Sequence, residues 1–462
     1  MSDTGKILLV IGGGAAGLFC AVNAARLDPS LKVIVAEKSG KLLSKVRVSG
    51  GGRCNLTHAC PSIGDMAQHY PRGAHFVKKT FHQFFVTDTI EWFESRDVPL
   101  KTEEDGRMFP LANTSQAVID CLMREVNTYR VEMRMNREVK EVKLLKEERT
   151  PEIGKDAKTA PMPGTGDAVA TATKKFAITF NNGERLEADF VCIACGGYPK
   201  SSMFDWLRAL GHTIEEPVPS LFTFNMPGHS LNALMGVSVP EAQIRITGSK
   251  AVTDKPSNDI QPHNMLSGSK LREKGPVLVT HWGLSGPAIL RLSAWGAREL
   301  AACGYEFDIT INWIPAYNEQ SAAKELQRLR FELASQKVVG KNPFGLPSRL
   351  WEWLASQAGI GDSLRWADLP AASQNKLVRN LCVQPFSVKG KTTFKEEFVT
   401  AGGVKLSEVD PNTMQSRKLP GLFFAGEIVD VDGITGGYNF QHAWTSGFIA
   451  AKTIAGGAIV AP

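Results

Sequence analysis

The stretch Ile7-Leu8-Leu9-Val10-Ile11-Gly12-Gly13-Gly14-Ala15-Ala16-Gly17-Leu18-Phe19-Cys20-Ala21-Val22 decides the fold. Five apolar residues read as a buried strand, G-x-G-x-x-G as a tight turn, and the apolar run after it as a helix. A second apolar run, Val33-Ile34-Val35-Ala36, ends in Glu37, twenty positions after Gly17. Strand, glycine turn, helix and acid in this order form the layout that binds the ADP half of a dinucleotide. Gly12 permits the turn, Gly14 lets a pyrophosphate approach the backbone, and Gly17 lets the helix pack on the sheet. Ala15 and Ala16 lie in the first helical turn, whose free N–H groups and positive dipole end face the phosphates. Glu37, followed by Lys38, is placed to accept hydrogen bonds from both ribose hydroxyls. Its charge repels a 2′-phosphate, which disfavours NADP at this site. The alternative is a glycine-rich turn with no ligand.

At 462 residues the chain exceeds one ordinary core, so two or three domains are expected. Hydrophobic content of 43% and charged content of 22% are those of a globular protein. The net charge of +6 is small for this length and does not by itself call for nucleic acid or a membrane surface. No run of about 18 apolar residues appears, so a membrane span is not expected. The eight cysteines are scattered, mostly in apolar runs, which fits a reducing, cytoplasmic setting. Cys192 and Cys195 form a C-x-x-C inside Phe190–Gly197, which reads as a buried strand rather than a redox helix start. No second C-x-x-C completes a zinc site, and no metal is expected.

Further along, Ser49-Gly50-Gly51-Gly52-Arg53-Cys54-Asn55 is a second glycine-rich loop. Helices are expected over 76–97 and 114–128, with Asn113 or Thr114 as N-cap, and a strand over 137–145. Residues 148–172 read as an exposed loop. A hairpin follows at 175–188 around Asn182-Gly183, then a buried strand over 189–194. A short helix is expected at 201–210. Residues 213–312 read as short strands with a polar loop at 250–270 and a helix starting near Ser285 or Pro287. Helices are expected over 316–338 and 347–381, strands at 394–399 and 421–425, and a last helix over 437–455. This gives a Rossmann-like α/β domain (1–199 and 385–462) interrupted by a β-rich insert (200–315) and a helical subdomain (316–384).

The second cofactor signal lies at the C-terminal end. Gly421–Glu427 is an apolar strand ending in Gly426-Glu427, and Gly436-Gly437-Tyr438-Asn439 opens a helix. In FAD enzymes of the two-dinucleotide-binding type such a strand rejoins the N-terminal sheet. Gly426 then lies near the diphosphate, Glu427 accepts from a ribityl hydroxyl, and the helix start faces flavin N1 and O2, where reduction places negative charge. The segment Ala194-Cys195-Gly196-Gly197 resembles an Ala-Thr-Gly-Gly element that lies beside the diphosphate, with Cys195 in place of the threonine.

With these segments in view, the chain resembles the YhiN/BaiN-type bacterial flavoproteins, NAD(P)/FAD-dependent oxidoreductases also grouped as the aminoacetone oxidase family. The matching segments are Gly12–Gly17, Ser49–Asn55, Asp105–Pro110, Thr280–Ala288, Thr400–Val404 and Phe424–Gly447, spread from end to end. Departures are Cys195 and Pro199-Lys200-Ser201-Ser202, where a glycine-richer stretch is expected. The resemblance implies an FAD-binding domain interrupted by a small β-barrel carrying a helical subdomain. It also implies that Gly51, Gly52, Arg53, Cys54 and Asn55 lie along the cofactor; Val139 is likewise assigned to the cofactor site.

The expected activity is two-electron transfer at flavin N5 to or from a small organic substrate held between the domains. No second strand-G-x-G-x-x-G-helix unit is present, so NAD(P)H as reductant would dock transiently. No catalytic side chain is assigned. Tyr438, Asn439 and His442 are weighed against cofactor positioning, His281 against a loop hydrogen bond, Arg107 against a structural ion pair, and Cys54 against packing. A non-enzymatic redox sensor is the competing class. Flavin-dependent RNA modification ranks last, resting on Lys324, Arg328, Arg330, Lys337 and Lys341, since helical surface charge is usually solvation. The sequence leaves the oligomeric state open.

Overall fold

The computed structural model describes residues 5–145, 176–249, 271–392 and 399–456. The loops read at 148–172 and 250–270 lie outside them, as does the strand-like segment 394–399 except Val399.

The first core is a five-stranded parallel sheet. Its strands are β1 (Ile7–Ile11), β2 (Lys32–Glu37), β3 (Glu132–Met135), β4 (Phe190–Ile193) and β5 (Leu422–Phe424), in the order β5-β4-β1-β2-β3. Leu9 lies opposite both Ile34 and Val191, and Ile193 opposite Phe424. Central strands covered on both faces are apolar throughout, which is why β1 and β4 show no alternation. The turn after β1 enters α1 (Ala15–Leu27), and the turn after Gly437 enters α2 (Tyr438–Ala455). Small residues let these two helices meet: a Cβ on Gly447 would lie 2.7 Å from the carbonyl oxygen of Ala16. Phe19 and Trp444 fill the rest of the contact with ring centroids 5.2 Å apart. The two ends of the chain therefore share one core.

Between β4 and β5 the chain leaves this core and returns. The connection includes Ile214–Ser220, which pairs antiparallel with Val399–Val404. Beyond it lies a seven-stranded antiparallel sheet, ordered Gln384–Lys389, Glu306–Asn312, Ser238–Ser249, Arg272–Val279, Gly283–Ser285, Thr223–Asn225, Lys391–Thr392. The first and last of these are joined by Gly390 alone, so the sheet curls until its edges are neighbours along the chain. Helices Glu319–Glu332, Ser348–Gln357 and Ala371–Cys382 bury Leu326, Trp351 and Leu377 in this second core.

Some elements differ from the sequence reading. The helix expected over 76–97 is two, Ala74–Thr80 and Val86–Glu94. The second starts where Asp88 accepts the Phe85 N–H at 2.6 Å, a local cap that competes with a continuous helix. The helix expected over 347–381 is also two, parted after Gln357 where Gly359 takes φ +75°. The 114–128 helix begins at Gln116 with Ser115 as N-cap.

Candidate cofactor and active site

A cavity of about 910 Å³ lies at the carboxyl ends of the parallel strands, where ligands of open α/β sheets bind. Its phosphate-sized middle is backbone. Gly12 takes φ +113°, and a Cβ there would sit 2.5 Å from the carbonyl oxygen of Ala194. Gly14 caps α1 without a side-chain hydrogen bond, and nothing lies within 4 Å of where its Cβ would point. Ala15, Ala16, Ala194 and Gly196 complete this part of the wall. Gly17 is off the wall. Its missing Cβ would lie 2.0 Å from the Gly12 carbonyl oxygen, so its role is packing.

At one end Glu37 is fixed before any ligand arrives. Its carboxylate accepts the Gly13 N–H (2.9 Å), the Ser39 N–H (2.9 Å) and the Ser39 hydroxyl (2.8 Å). Lys38 and Val139 line the wall beside it, and the Lys38 ammonium lies 5.8 Å over the ring of Tyr198. Cys195 is here too, accepting the Tyr198 hydroxyl proton at 3.0 Å. Burial pushes its thiol up to about 11, and Cys192 is fully buried in β4, so the C-x-x-C is no redox pair.

The second glycine loop turns through left-handed geometry at Gly50, Gly51, Gly52 and Cys54. Gly51 and Asn55 line the cavity; Gly52, Arg53 and Cys54 do not. Arg53 pairs with Glu103 at 2.6 Å and stacks 4.0 Å from the Phe109 ring centroid, drawn outward by these two partners. Cys54 is buried, and burial pushes its thiol up to about 12, against a lowered value from Arg53. Neither residue touches the cavity as the sequence reading expected. Farther along, Gly426 donates its N–H to Ser446 Oγ (2.8 Å). Glu427 accepts the Thr400 N–H (2.7 Å) and Lys45 Nζ (2.6 Å). Lys45 is a wall residue that the sequence did not single out.

The opposite end converges from distant segments. Gly436 and Gly437 take φ +136° and +94°, and α2 starts without a side-chain cap. With its amide oriented to satisfy both neighbours, Asn55 accepts the Gly437 N–H at 3.1 Å and donates to the Thr57 carbonyl at 3.2 Å. Asn439 lines the cavity but exchanges two 2.8 Å hydrogen bonds with the Gly433 backbone, so it holds the loop. Tyr438 turns away from the wall. Its ring packs against both His58 (4.7 Å) and His69 (4.6 Å), because the Gly437 turn aims it behind the loop. His58 also places its Nδ1 3.0 Å from the Gly436 carbonyl oxygen. Arg107 lies opposite His58 in strand pairing, which brings its side chain to this end of the cavity. Asp105 (2.7 Å) and Glu103 (3.0 Å) hold its guanidinium.

The insert supplies Leu221, Thr223, Ser285 and Leu290. Thr223 accepts the Trp282 indole N–H (3.0 Å) and donates to the Thr392 carbonyl (3.2 Å). His281 of the same loop is exposed and off the wall. His442 lines the cavity with Nε2 3.3 Å from the Gly426 carbonyl oxygen and, among the described residues, no partner for Nδ1. Burial holds its imidazole down at about 4, so it is neutral near pH 7.

Two uncapped helix starts, open space beside Gly14 and Gly51, and fixed carboxylates at Glu37 and Glu427 fit an extended dinucleotide crossing α1. The fold and the site define a Rossmann-type dinucleotide-binding α/β protein with an inserted antiparallel sheet. Residues 6–453 match the HI0933-like protein Rossmann domain, and the chain belongs to that family, the one its motifs resemble. It is 26% identical to the 3-dehydro-bile acid delta(4,6)-reductase of Clostridium scindens over 96% of this chain and 98% of that protein. It is 30% identical to the ribosomal RNA dihydrouridine synthase of Escherichia coli over 96% and 97%. The Haemophilus influenzae ribosomal RNA dihydrouridine synthase is 26% identical over 96% and 98%. The family consists of FAD-dependent oxidoreductases, and the chain is an enzyme of that class rather than a redox sensor. No described helix is long and apolar enough to cross a membrane.

Proposed function

We propose that this enzyme reduces a carbon–carbon double bond conjugated to a carbonyl, and that its substrate is a uracil ring in RNA. The carrying observation is the cavity, whose wall includes Gly436, Arg107 and the insert's Ser285 besides the residues of the dinucleotide strip. The names of the relatives supply the bond type: a delta(4,6)-reductase and a dihydrouridine synthase both add two hydrogens across a ring double bond. The higher identity to the second favours uracil. This moves RNA ahead of the small organic substrate that the sequence alone favoured.

When bound, FAD supplies the two-electron chemistry. Arg107, its guanidinium held by Glu103 and Asp105, would stabilise the carbonyl oxygen as negative charge develops on it. The Ser285 hydroxyl orients the ring from the insert side. Asn55 and Asn439 hold the start of α2, whose dipole favours charge at the isoalloxazine. Glu427 takes ribityl hydroxyls, and Glu37 takes the ribose. NAD(P)H serves as a transient donor in a cytoplasmic setting. The same reading treats 1–199 with 385–462 as the FAD domain, 200–315 as a small barrel, and 316–384 as its helical subdomain.

The test is anaerobic. The yellow holoenzyme is reduced with NADH or NADPH and mixed with an unmodified ribosomal RNA transcript. Flavin reoxidation and a two-hydrogen mass gain on a uridine are expected. Reoxidation by a steroidal dienone alone would transfer the substrate to the other relative's class, and reoxidation by neither would end the double-bond reading. Arg107→Ala should retain FAD and lower the rate of reoxidation by about 10²–10³-fold.

A further inference from the structure

A separate shallow concavity of about 550 Å³ lies on the FAD-binding half. One wall is the helix Ala74–Thr80, which presents exposed His75 and Lys79 one turn apart. Lys78 lies beside them. The other wall carries Ser407 and Arg417, and Phe76 and Val409 lie between. No carboxylate is among its described lining residues. Neither Lys78 nor Lys79 has an ion-pair partner among the described residues, and Arg417 is only 3.7 Å from Asp410, with its own side chain half exposed. Lys79 and Arg417 thus line the dent, with Lys78 on the same helix beside it and Asp410, among the described residues, as the one carboxylate paired with Arg417.

Its position relative to the active site is defined by one contact. Gly73, on the rim, packs against Val431: a Cβ there would be 2.6 Å from Val431 Cγ2. Val431 lines the cofactor cavity from its other side. The contact of Gly73 with Val431 therefore separates the two concavities. The next residue, Arg72, braces that contact by pairing with buried Asp432 and donating to the Ala294 carbonyl at 2.7 Å.

We propose that this groove is where the enzyme docks the phosphate backbone of its RNA. The assignment rests on the RNA reading above and names a surface for it. Phosphate contacts position a nucleic acid without reading its sequence, and free lysine and arginine side chains are what such contacts use. On the helical subdomain two of the five cations Lys324, Arg328, Arg330, Lys337 and Lys341 are already engaged, and the three lysines remain as the comparison set. Arg328 is taken by Glu325 and Glu332, and Arg330 donates to the Ala367 carbonyl. A dent with no carboxylate in its described lining, separated from the cofactor cavity by the Gly73–Val431 contact, would hold phosphates on the FAD-binding half.

The experiment is fluorescence anisotropy of the holoenzyme with a labelled ribosomal RNA transcript over a salt series. The variant Lys78→Ala/Lys79→Ala/Arg417→Ala is compared with Lys324→Ala/Lys337→Ala/Lys341→Ala, which removes equal charge from the helical subdomain. All six side chains are exposed, so the flavin spectrum and Tm should match the parent. The slope of log K against log salt should become shallower by about 2 in the groove variant, at roughly 0.7 per phosphate contact, and stay unchanged in the control. A parent that binds and reduces RNA while both variants behave alike would overturn the groove and leave the RNA reading standing. A parent with no salt-dependent RNA binding would overturn both.

Discussion

The two ends of the cofactor cavity are made of different material. The phosphate middle and the Glu37 end come largely from one continuous segment, Ile7 to Ser39, and work mainly through backbone N–H groups and absent side chains. The proposed reacting end draws on Asn55, Arg107, Ser285 and Gly436, residues of distant segments that line one cavity through sheet pairing and the insert. A backbone requirement leaves a local mark, since only glycine satisfies it. A convergence of ordinary side chains leaves none.

The sharpest way to break the first end is Gly17→Ala. The added methyl would lie 2.0 Å from the Gly12 carbonyl oxygen, against backbone that cannot swing aside. Overpacking of this kind costs roughly 1–3 kcal/mol or more and here also displaces the glycine turn. The variant should purify colourless, with a lower Tm, while an exposed change such as Lys78→Ala keeps full flavin. A yellow Gly17→Ala protein of parental stability would mean that the close helix approach is unnecessary.

A second prediction concerns His442, which sits between the two ends. Its folded pKa of about 4 lies below the ordinary 6.5 because burial disfavours the cation. Above pH 6.5 both folded and unfolded forms are neutral, and the residue is silent. As pH falls below 6.5 the unfolded chain takes the proton first, so stability declines until about pH 4. At about 1.4 kcal/mol per pKa unit the decline is roughly 3 kcal/mol. Urea unfolding of the apoprotein at pH 7 and pH 4.5 reads this. His442→Leu should lose less stability than the parent over that interval; equal losses would show that the imidazole is reached by water.

The same division explains what the sequence revealed. The parallel sheet, α1 and the partnership of β5 and α2 with the N-terminal end were legible from apolar runs, glycine spacing and two terminal acids. Gly12, Gly14, Glu37, Gly426 and Glu427, marked for the same reason, all line the one cavity. Tyr438 was misplaced because a residue at a helix start can face either side, and the φ of Gly437 decides which. Arg53 and Cys54 lie off the wall because the loop's left-handed run at Gly50, Gly51 and Gly52 carries the chain away from the cavity before Asn55 returns to it. Lys45, Ser285 and Thr223 carried no local signal. Only the cluster Thr280–Ala288, with glycines forced to φ +150° and +99° at 283 and 286, marked that insert loop as constrained.

The mildest test separates the two ends cleanly. Glu37 accepts three hydrogen bonds, from the Gly13 N–H, the Ser39 N–H and the Ser39 hydroxyl. In Glu37→Gln one oxygen becomes an NH₂ group that faces a donor, and the charge offered to the ribose is lost. A hydrogen bond to a charged group contributes about 1.5–3 kcal/mol, so FAD affinity should fall about tenfold or somewhat more, read from flavin fluorescence on titration into apoprotein. In the reading proposed above, Gly436 and Arg107 at the other end would hold the isoalloxazine. At saturating FAD the reduction potential and the rate of substrate reduction should therefore equal the parent's. A shifted potential would mean that the Glu37 end and the reacting end are mechanically coupled through α1, and that the cavity behaves as one unit rather than two.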